Sequence, residues 1–438
     1  MENPLKSTNM RGNLLIFRLD WISIFLLLFL IGFGWVNIYS TTVGNDLSGP
    51  LLDLGTFYGK QLFFAILSLI VVILYSFIPD QFIERFSSLF YLIGIALLLG
   101  LFVFGKTIAG ATSWYDLGPF NFQPSELMKM IVALALAKYL SETQVNLRYS
   151  VHQGYAVLLL VLPSILVIAQ PDPGSALVFF SLFLVLFREG LPLYYLTFVL
   201  SFILAFAATL KFGLTYTFIG ALALYLSYLW LKPKRLKTPI WFTISYPVIL
   251  FTIIASTTWV YNSVFKQHHR DRFSLWLNLE TNQDRLLDIK QSIGYNTYQA
   301  KQAIASGRWS GKGFLEGTRT KGDFVPAQHS DYIFSSVGEE WGFITSVLVI
   351  LAFVALLLRF IYLADRQKKA FHRIYGYGIT SILFIHFSIN IGMVLGMLPT
   401  VGIPLPFFSY GGSSLLFFCL MCYIFLKMDA NRLKTHFD

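Results

Sequence analysis

Runs of about twenty apolar residues recur from residue 21 almost to the C-terminus of this chain, and they leave few folds open. A bilayer core of about 30 Å demands helices of this length. Inside it every backbone N–H and C=O must be satisfied within the segment that carries it. The ten-residue alternation of a membrane β-barrel is missing. Apolar spans fall near 21–40, 61–78, 86–104, 125–141, 153–170, 174–188, 191–210, 214–231, 238–263, 336–361, 373–398 and 406–428. The sixth and seventh are short and broken by Arg188-Glu189-Gly190. The expected fold is an all-α polytopic membrane protein of about twelve transmembrane helices, forming one integral membrane domain over 1–438. At 56% hydrophobic and 13% charged, the chain does not read as a soluble enzyme.

Charge orients the spans. With the N-terminus inside, the inner connections hold Lys232, Lys234, Arg235 and Lys237, then Arg366, Lys368, Lys369 and Arg373, whereas the short outer loops hold only Lys60, Lys106 and Lys211. The positive-inside rule therefore predicts cytoplasmic termini and an outer placement for the long polar segment 264–335. Most of the net charge of +10 faces the anionic inner leaflet under this topology, so it implies no nucleic-acid partner. The first apolar run is long enough to span and lacks a small-residue cleavage site, as expected of a retained anchor. Cys419 and Cys422 lie within the last apolar span with no second pair elsewhere, which favours packing over redox or metal chemistry.

Polar residues inside such a chain are expensive and mark candidate sites. Glu126 and Lys129 are three residues apart on one helical face, just after Pro124, and read either as a functional pair or as a cap and salt bridge. Asp172 sits in Gln170-Pro171-Asp172-Pro173-Gly174, a tight turn. The connection at 398–414 holds three prolines and then Ser409-Tyr410-Gly411-Gly412, a broken backbone suited to a ligand's close approach. The 264–335 segment carries acids that include Asp284, Asp288 and Asp331, with bases that include Lys312. Its adjacent His268 and His269 do not share a helical face, which argues against a zinc site. Gly307, Gly311, Gly313 and Gly317 beside Arg308, Lys312, Arg319 and Lys321 could cradle a phosphate or form a flexible loop.

Three stretches carry a resemblance over almost the whole chain: 110–129 (GATSWYDLGPFNFQPSELMK), 324–343 (FVPAQHSDYIFSSVGEEWGF) and 396–414 (GMLPTVGIPLPFFSYGGSS). The sequence resembles the SEDS family of shape, elongation, division and sporulation proteins, and its elongation branch more than its division branch. The resemblance implies a peptidoglycan glycosyltransferase of the bacterial plasma (inner) membrane. Such an enzyme polymerises lipid II onto a nascent glycan strand during elongation and shape maintenance, and releases undecaprenyl pyrophosphate. It implies a class B penicillin-binding transpeptidase and other elongation-complex proteins as partners, a divalent cation (Mg or Mn) as an aid, and no organic cofactor. It also implies a catalytic aspartate in the outer loop before Gly294-Tyr295. The family's Asp-Pro pair is absent here, Asn282 stands near its place, and Asp284, then Asp288, are the candidates. By the same resemblance Glu126, Lys129, Asp172, Gln299, Lys312, Asp331, Ser409, Gly411 and Gly412 would bind substrate. The family's core has ten spans, which makes 211–263 the expected inserted helix pair. A lipid II flippase and a division polymerase are the rival readings.

Overall fold

The computed structural model describes residues 18–43, 50–108, 110–118, 120–231, 240–265, 267–280, 282–291, 294–322, 324–325 and 327–432. The basic turn 232–237, Asp323 and Pro326 lie outside the described residues, and so do the side chains of His268, His269 and Asp284. The chain forms two compact units: the larger holds residues up to Gly190, Gln299–Val394 and those from Val401 on, and the smaller holds Leu191–Tyr298 and Leu395–Thr400.

The larger unit opens with α1 (Trp21–Thr42), α2 (Phe57–Tyr75) and α3 (Asp80–Phe104). Asp20 caps α1 by accepting from the Ser23 N–H at 3.0 Å, and Thr56 caps α2 from Gly59 at 3.2 Å. A small antiparallel sheet follows, in the order β1 (Lys106–Ile108), β2 (Ala111–Asp116), β3 (Asn121–Phe122). It delivers the chain to α4 (Pro124–Ser141), which starts as its sequence dictates, with Pro124 in the first turn and Glu126 at the positive end of the helix dipole. Then come α5 (Ser150–Ala169), α6 (Pro173–Phe179) and α7 (Phe183–Arg188), the last two joined by a 3₁₀ turn.

The smaller unit contains α8 (Tyr194–Phe212), α9 (Leu214–Leu231), α10 (Ile240–Trp259), α11 (Gln267–Leu277) and α12 (Gln283–Gln291). Gly213 joins α8 to α9 at φ +84, a conformation that favours glycine, and the two helices pack as a hairpin. Ala205, Leu250 and Ile254 form the small core of this unit. Asn278 ends α11 in the left-handed region at φ +51. The Trp276 indole N–H donates to the Met397 carbonyl at 2.8 Å, and Arg272 donates to that of Thr400 at 2.9 Å.

The larger unit resumes within α13 (Tyr295–Gly307) and continues through α14 (Thr318–Lys321), α15 (Ile333–Asp365), α16 (Ala370–Val394) and α17 (Gly412–Asn431). Gly342, at φ +76, breaks α15; a Cβ there would stand 2.2 Å from the Gly311 nitrogen. In this unit α4 packs against α3, α5, α16 and α17, so the helix with the internal charges is central and almost wholly buried.

Ten helices among the described residues are long and apolar enough to cross a membrane, where the sequence led us to expect about twelve. The other two expected spans fall on α4, which carries Glu126, Lys129 and Lys138, and on the shorter apolar stretch Pro173–Arg188. The physical reason is visible in α4: enclosed by neighbouring helices, it need not be uniformly apolar. The polar 264–335 segment is helical over much of its length.

Candidate active site

The Gln170–Gly174 turn is a helix start. One Asp172 oxygen accepts from the Ser175 N–H at 3.0 Å, capping α6 ahead of Pro173, and the other accepts from the Gln123 side-chain amide at 3.0 Å. Asp172 thereby ties α6 to the residue that precedes α4. Asp331 is held through its backbone: the Asn390 amide of α16 donates to its carbonyl at 2.8 Å and to that of Ile403 at 2.7 Å. A Cβ added at Gly402, whose φ is +76, would lie 3.3 Å from an Asp331 carboxylate oxygen. Burial first, and then the Asp172 charge, push the Asp331 carboxyl up to about 6 from its ordinary 3.8. Two carboxylates thus act on one another in this unit.

The Ser409 hydroxyl donates to the Ser330 carbonyl at 2.6 Å and accepts from the Leu405 N–H at 2.8 Å, while the Tyr410 N–H donates to the His329 carbonyl at 2.8 Å. These bonds pin the segment next to Asp331 against the 401–411 segment. Gly411 donates to Gln61 at 3.1 Å. The space left by Gly412 is filled from within, since a Cβ there would meet the Phe64 ring at 2.3 Å.

On α4, the Lys129 ammonium lies 2.6 Å from Glu126 and donates to His386 Nε2 at 3.0 Å, with the Phe418 ring 5.3 Å away. An ammonium cannot accept, so Nε2 is the acceptor and the imidazole proton sits on Nδ1, 3.1 Å from the Pro404 carbonyl. A neutral histidine therefore links the buried ion pair to the 401–411 segment.

Gln299 contacts Arg319, and Lys312 pairs with the buried Glu339 at 2.6 Å. Glu339 also accepts from the Arg319 N–H at 3.0 Å, the Thr320 N–H at 2.9 Å and the Thr320 hydroxyl at 2.8 Å. The glycines here serve close backbone approach: a Cβ at Gly307 would stand 1.9 Å from the Gly338 carbonyl oxygen, and one at Gly311 2.1 Å from that of Glu340. The N–H groups of Lys312 and Gly313 donate to the Glu339 and Glu340 carbonyls, both at 3.0 Å, so they are not turned to a phosphate. Asp284 and Asp288 lie on α12 of the smaller unit, with Asp288 exposed.

The family profile described as "Cell cycle protein", FTSW_RODA_SPOVE, matches residues 20–235 and 236–434. The chain belongs to this family. It is 30% identical over 367 residues to the peptidoglycan glycosyltransferase MrdB of Escherichia coli K12, covering 84% of each chain. It is 29% identical over 444 residues to the peptidoglycan glycosyltransferase RodA of Treponema pallidum, covering 94% of this chain and 98% of that one. A chain from a structure titled "Structural coordination of polymerization and crosslinking by a peptidoglycan synthase complex" superposes with a TM-score of 0.67 at 25% identity, covering 96% of this chain and 99% of that one. RodA of Thermus thermophilus shares the fold, with a TM-score of 0.57 at 23% identity over 94% and 97% of the two chains.

In this FtsW/RodA/SpoVE family member, the larger unit gathers Glu126, Lys129, Asp172, Gln299, Lys312, Asp331, Ser409, Gly411 and Gly412, and the smaller unit carries Asp284 and Asp288. His386 and Asn390 went unsingled in the sequence, and Glu339 entered it only as part of the 324–343 stretch. For His386 and Asn390 the one available signal was a polar residue standing in an otherwise apolar span.

Proposed function

We propose that this chain is the glycosyltransferase that polymerises lipid II during cell-wall elongation, with both termini cytoplasmic and residues 264–335 on the outer face of the plasma membrane. The 4-hydroxyl oxygen of the incoming lipid II sugar attacks C1 of the growing strand's terminal sugar. A carboxylate takes the hydroxyl proton, the C1–O bond to pyrophosphate breaks, and undecaprenyl pyrophosphate leaves. The observation that carries this reading is the meeting of the three family stretches and the Gln170–Gly174 turn in the larger unit. They bring Gln123, Asp172, Asp331 and Gly402 together beside a buried Glu126–Lys129 pair. A class B transpeptidase is the proposed partner; the structural relative's title couples polymerisation to crosslinking.

The proposed base is Asp284, with Asp288 second. A different feature favours Asp331: burial and the Asp172 charge push its carboxyl up to about 6, close to the pH at which a general base works best. A divalent cation fits Asp172 and Asp331, two hard oxygen donors, the first of which raises the second's need for positive charge. When bound, it would neutralise charge on the departing pyrophosphate. Among the described residues no three His, Cys, Asp or Glu gather into a metal cage, so the ion would keep waters or substrate oxygens as further ligands.

The test is polymerisation of purified lipid II with magnesium or manganese, using the wild type with its transpeptidase and the Asp284→Asn, Asp288→Asn and Asp331→Asn variants. Polymer from wild type but not Asp284→Asn places the base there. Loss in Asp331→Asn alone moves it to Asp331. No polymer from a folded wild-type complex overturns the transferase and turns the reading to lipid transport.

A further inference from the structure

Asn390 is wholly buried on α16, about one turn after His386 and on the same helical face. A polar side chain inside a membrane helix is expensive, and one that persists there faces other helices or a site. The amide atom 2.8 Å from the Asp331 carbonyl and 2.7 Å from the Ile403 carbonyl is Nδ2, because carbonyl oxygens cannot donate. Both amide protons are spent on these two bonds, and Oδ1 accepts from none of the described residues. What the side chain supplies is its pair of donors. One turn earlier, His386 Nδ1 donates to the Pro404 carbonyl at 3.1 Å. One face of α16 thus holds three carbonyls: two consecutive ones of the 401–404 segment, and that of Asp331.

The same segment also meets α6. A Cβ added at Gly174 would stand 3.2 Å from the Val401 carbonyl oxygen and 3.4 Å from that of Gly402. Asp172 caps α6 two residues before Gly174. Gly402 in turn passes close to the Asp331 carboxylate, where its Cβ would lie 3.3 Å from an oxygen. Contacts therefore run from Asp172 through α6 and 401–403 to Asn390, and Asn390 returns them to Asp331. All of these residues belong to the larger unit. We propose that Asn390 is a positioning residue of the transfer reaction, its two-pronged amide setting Asp331 in register with Gly402 and with Asp172 at the head of α6. This rests on the transferase reading of the same site. Without the amide, His329 and Ser330 keep their bonds to Tyr410 and Ser409, so the segment stays docked while the Asp331 carbonyl loses its donor. A displacement of about 1 Å at a reacting group costs about 100-fold in rate.

The experiment measures initial rates of lipid II polymerisation by the full chain with its transpeptidase, and thermal unfolding of the same samples. Asn390→Val and Asn390→Gln are close in size, but only the second keeps two donors. Asn390→Val should lower kcat about 100-fold and leave KM for lipid II within about threefold. Asn390→Gln should recover at least tenfold of that loss. A residue that merely filled space would suffer alike from both replacements. Asn390→Ala leaves room for a water beneath the two carbonyls and carries the same expectation as Asn390→Val, should that variant not fold. Wild-type kcat in folded Asn390→Val or Asn390→Ala, a loss confined to KM, or no advantage of Asn390→Gln would each overturn the positioning role while the transferase reading stands. No polymer from the wild-type complex would overturn that reading, and the role with it.

Discussion

Replacing Lys129 by methionine tests whether the ion pair of α4 is structure, chemistry or both. The Lys129 and Glu126 side chains are 2% and 4% exposed, with Nζ 2.6 Å from the carboxylate. Lys129→Met keeps the length and volume of the side chain but leaves a buried carboxylate without a counter-charge. Breaking such a pair costs about 3–5 kcal/mol. His386 Nε2 also loses its donor, which adds about 1–3 kcal/mol. Adding Glu126→Gln removes the orphaned charge, because a neutral pair of similar shape is often no less stable than the ion pair. Only the histidine penalty should then remain, with a coupling of about 3 kcal/mol between the two sites. Thermal unfolding of the four proteins in detergent measures the cycle, and lipid II polymerisation is run on the same samples. The double variant should recover most of its stability yet stay at least about 100-fold down in turnover, as when a preorganised charge is lost from an active site. A double variant as unstable as Lys129→Met would refute the electrostatic argument. Recovery of both stability and turnover would leave the pair a structural strut.

Two further outcomes are expected. With Asp331 as the base, activity should fall as pH drops through about 6, where it gains its proton, and Asp172→Asn should move that limb to lower pH by removing the negative neighbour. An unmoved limb in the pH–rate profile of Asp172→Asn would break the assignment. The same raised value makes Asp331's contribution to stability complete below its ordinary 3.8 and lost as pH rises through about 6. Glu339→Gln should loosen the segment it anchors, since it replaces a charged acceptor for Lys312 and for the Arg319 and Thr320 donors. A loss of about 3 kcal/mol is expected, from charged hydrogen bonds at about 1.5–3 kcal/mol each. Faster limited proteolysis within 306–320 would register it, and unchanged protection would refute it.

Much of this was legible because hydrophobic length is a one-dimensional property. The spans at 61–78 and 86–104 reappear as α2 and α3 with shifted ends, because boundaries depend on caps such as Thr56 and on local turns. The span at 125–141 was found as a helix, but not as the enclosed centre of a unit, since enclosure is a property of α3, α5, α16 and α17 together. The motif stretches pointed to Asp172 and Asp331; that one carboxylate raises the other's pKa needed the fold. His386 could not be read at all, as it lies 257 residues from Lys129 and no periodicity links them. Gly307 and Gly311 misled for a related reason: a glycine that admits a ligand and one that admits a neighbouring backbone look alike in sequence.

The pattern of compensation in the larger unit distinguishes its acids. Asp20 is held by Arg359 at 3.1 Å, Glu126 by Lys129, Glu339 by Lys312, and Asp429 by Arg366. Each of these carboxylates has a cation within the fold, which is what keeps a buried charge tolerable. Asp331 breaks the pattern, because the charge that acts on it is another carboxylate. Burial together with the Asp172 charge makes the ionised form of this carboxylate costly, and something outside the chain could relieve that cost. A proton from a sugar hydroxyl would relieve it, and so would a divalent cation shared with the substrate's phosphates. Both belong to glycosyl transfer from a pyrophosphate. Of these acids, Asp331 is therefore the one whose charge a substrate proton or a bound cation would most relieve.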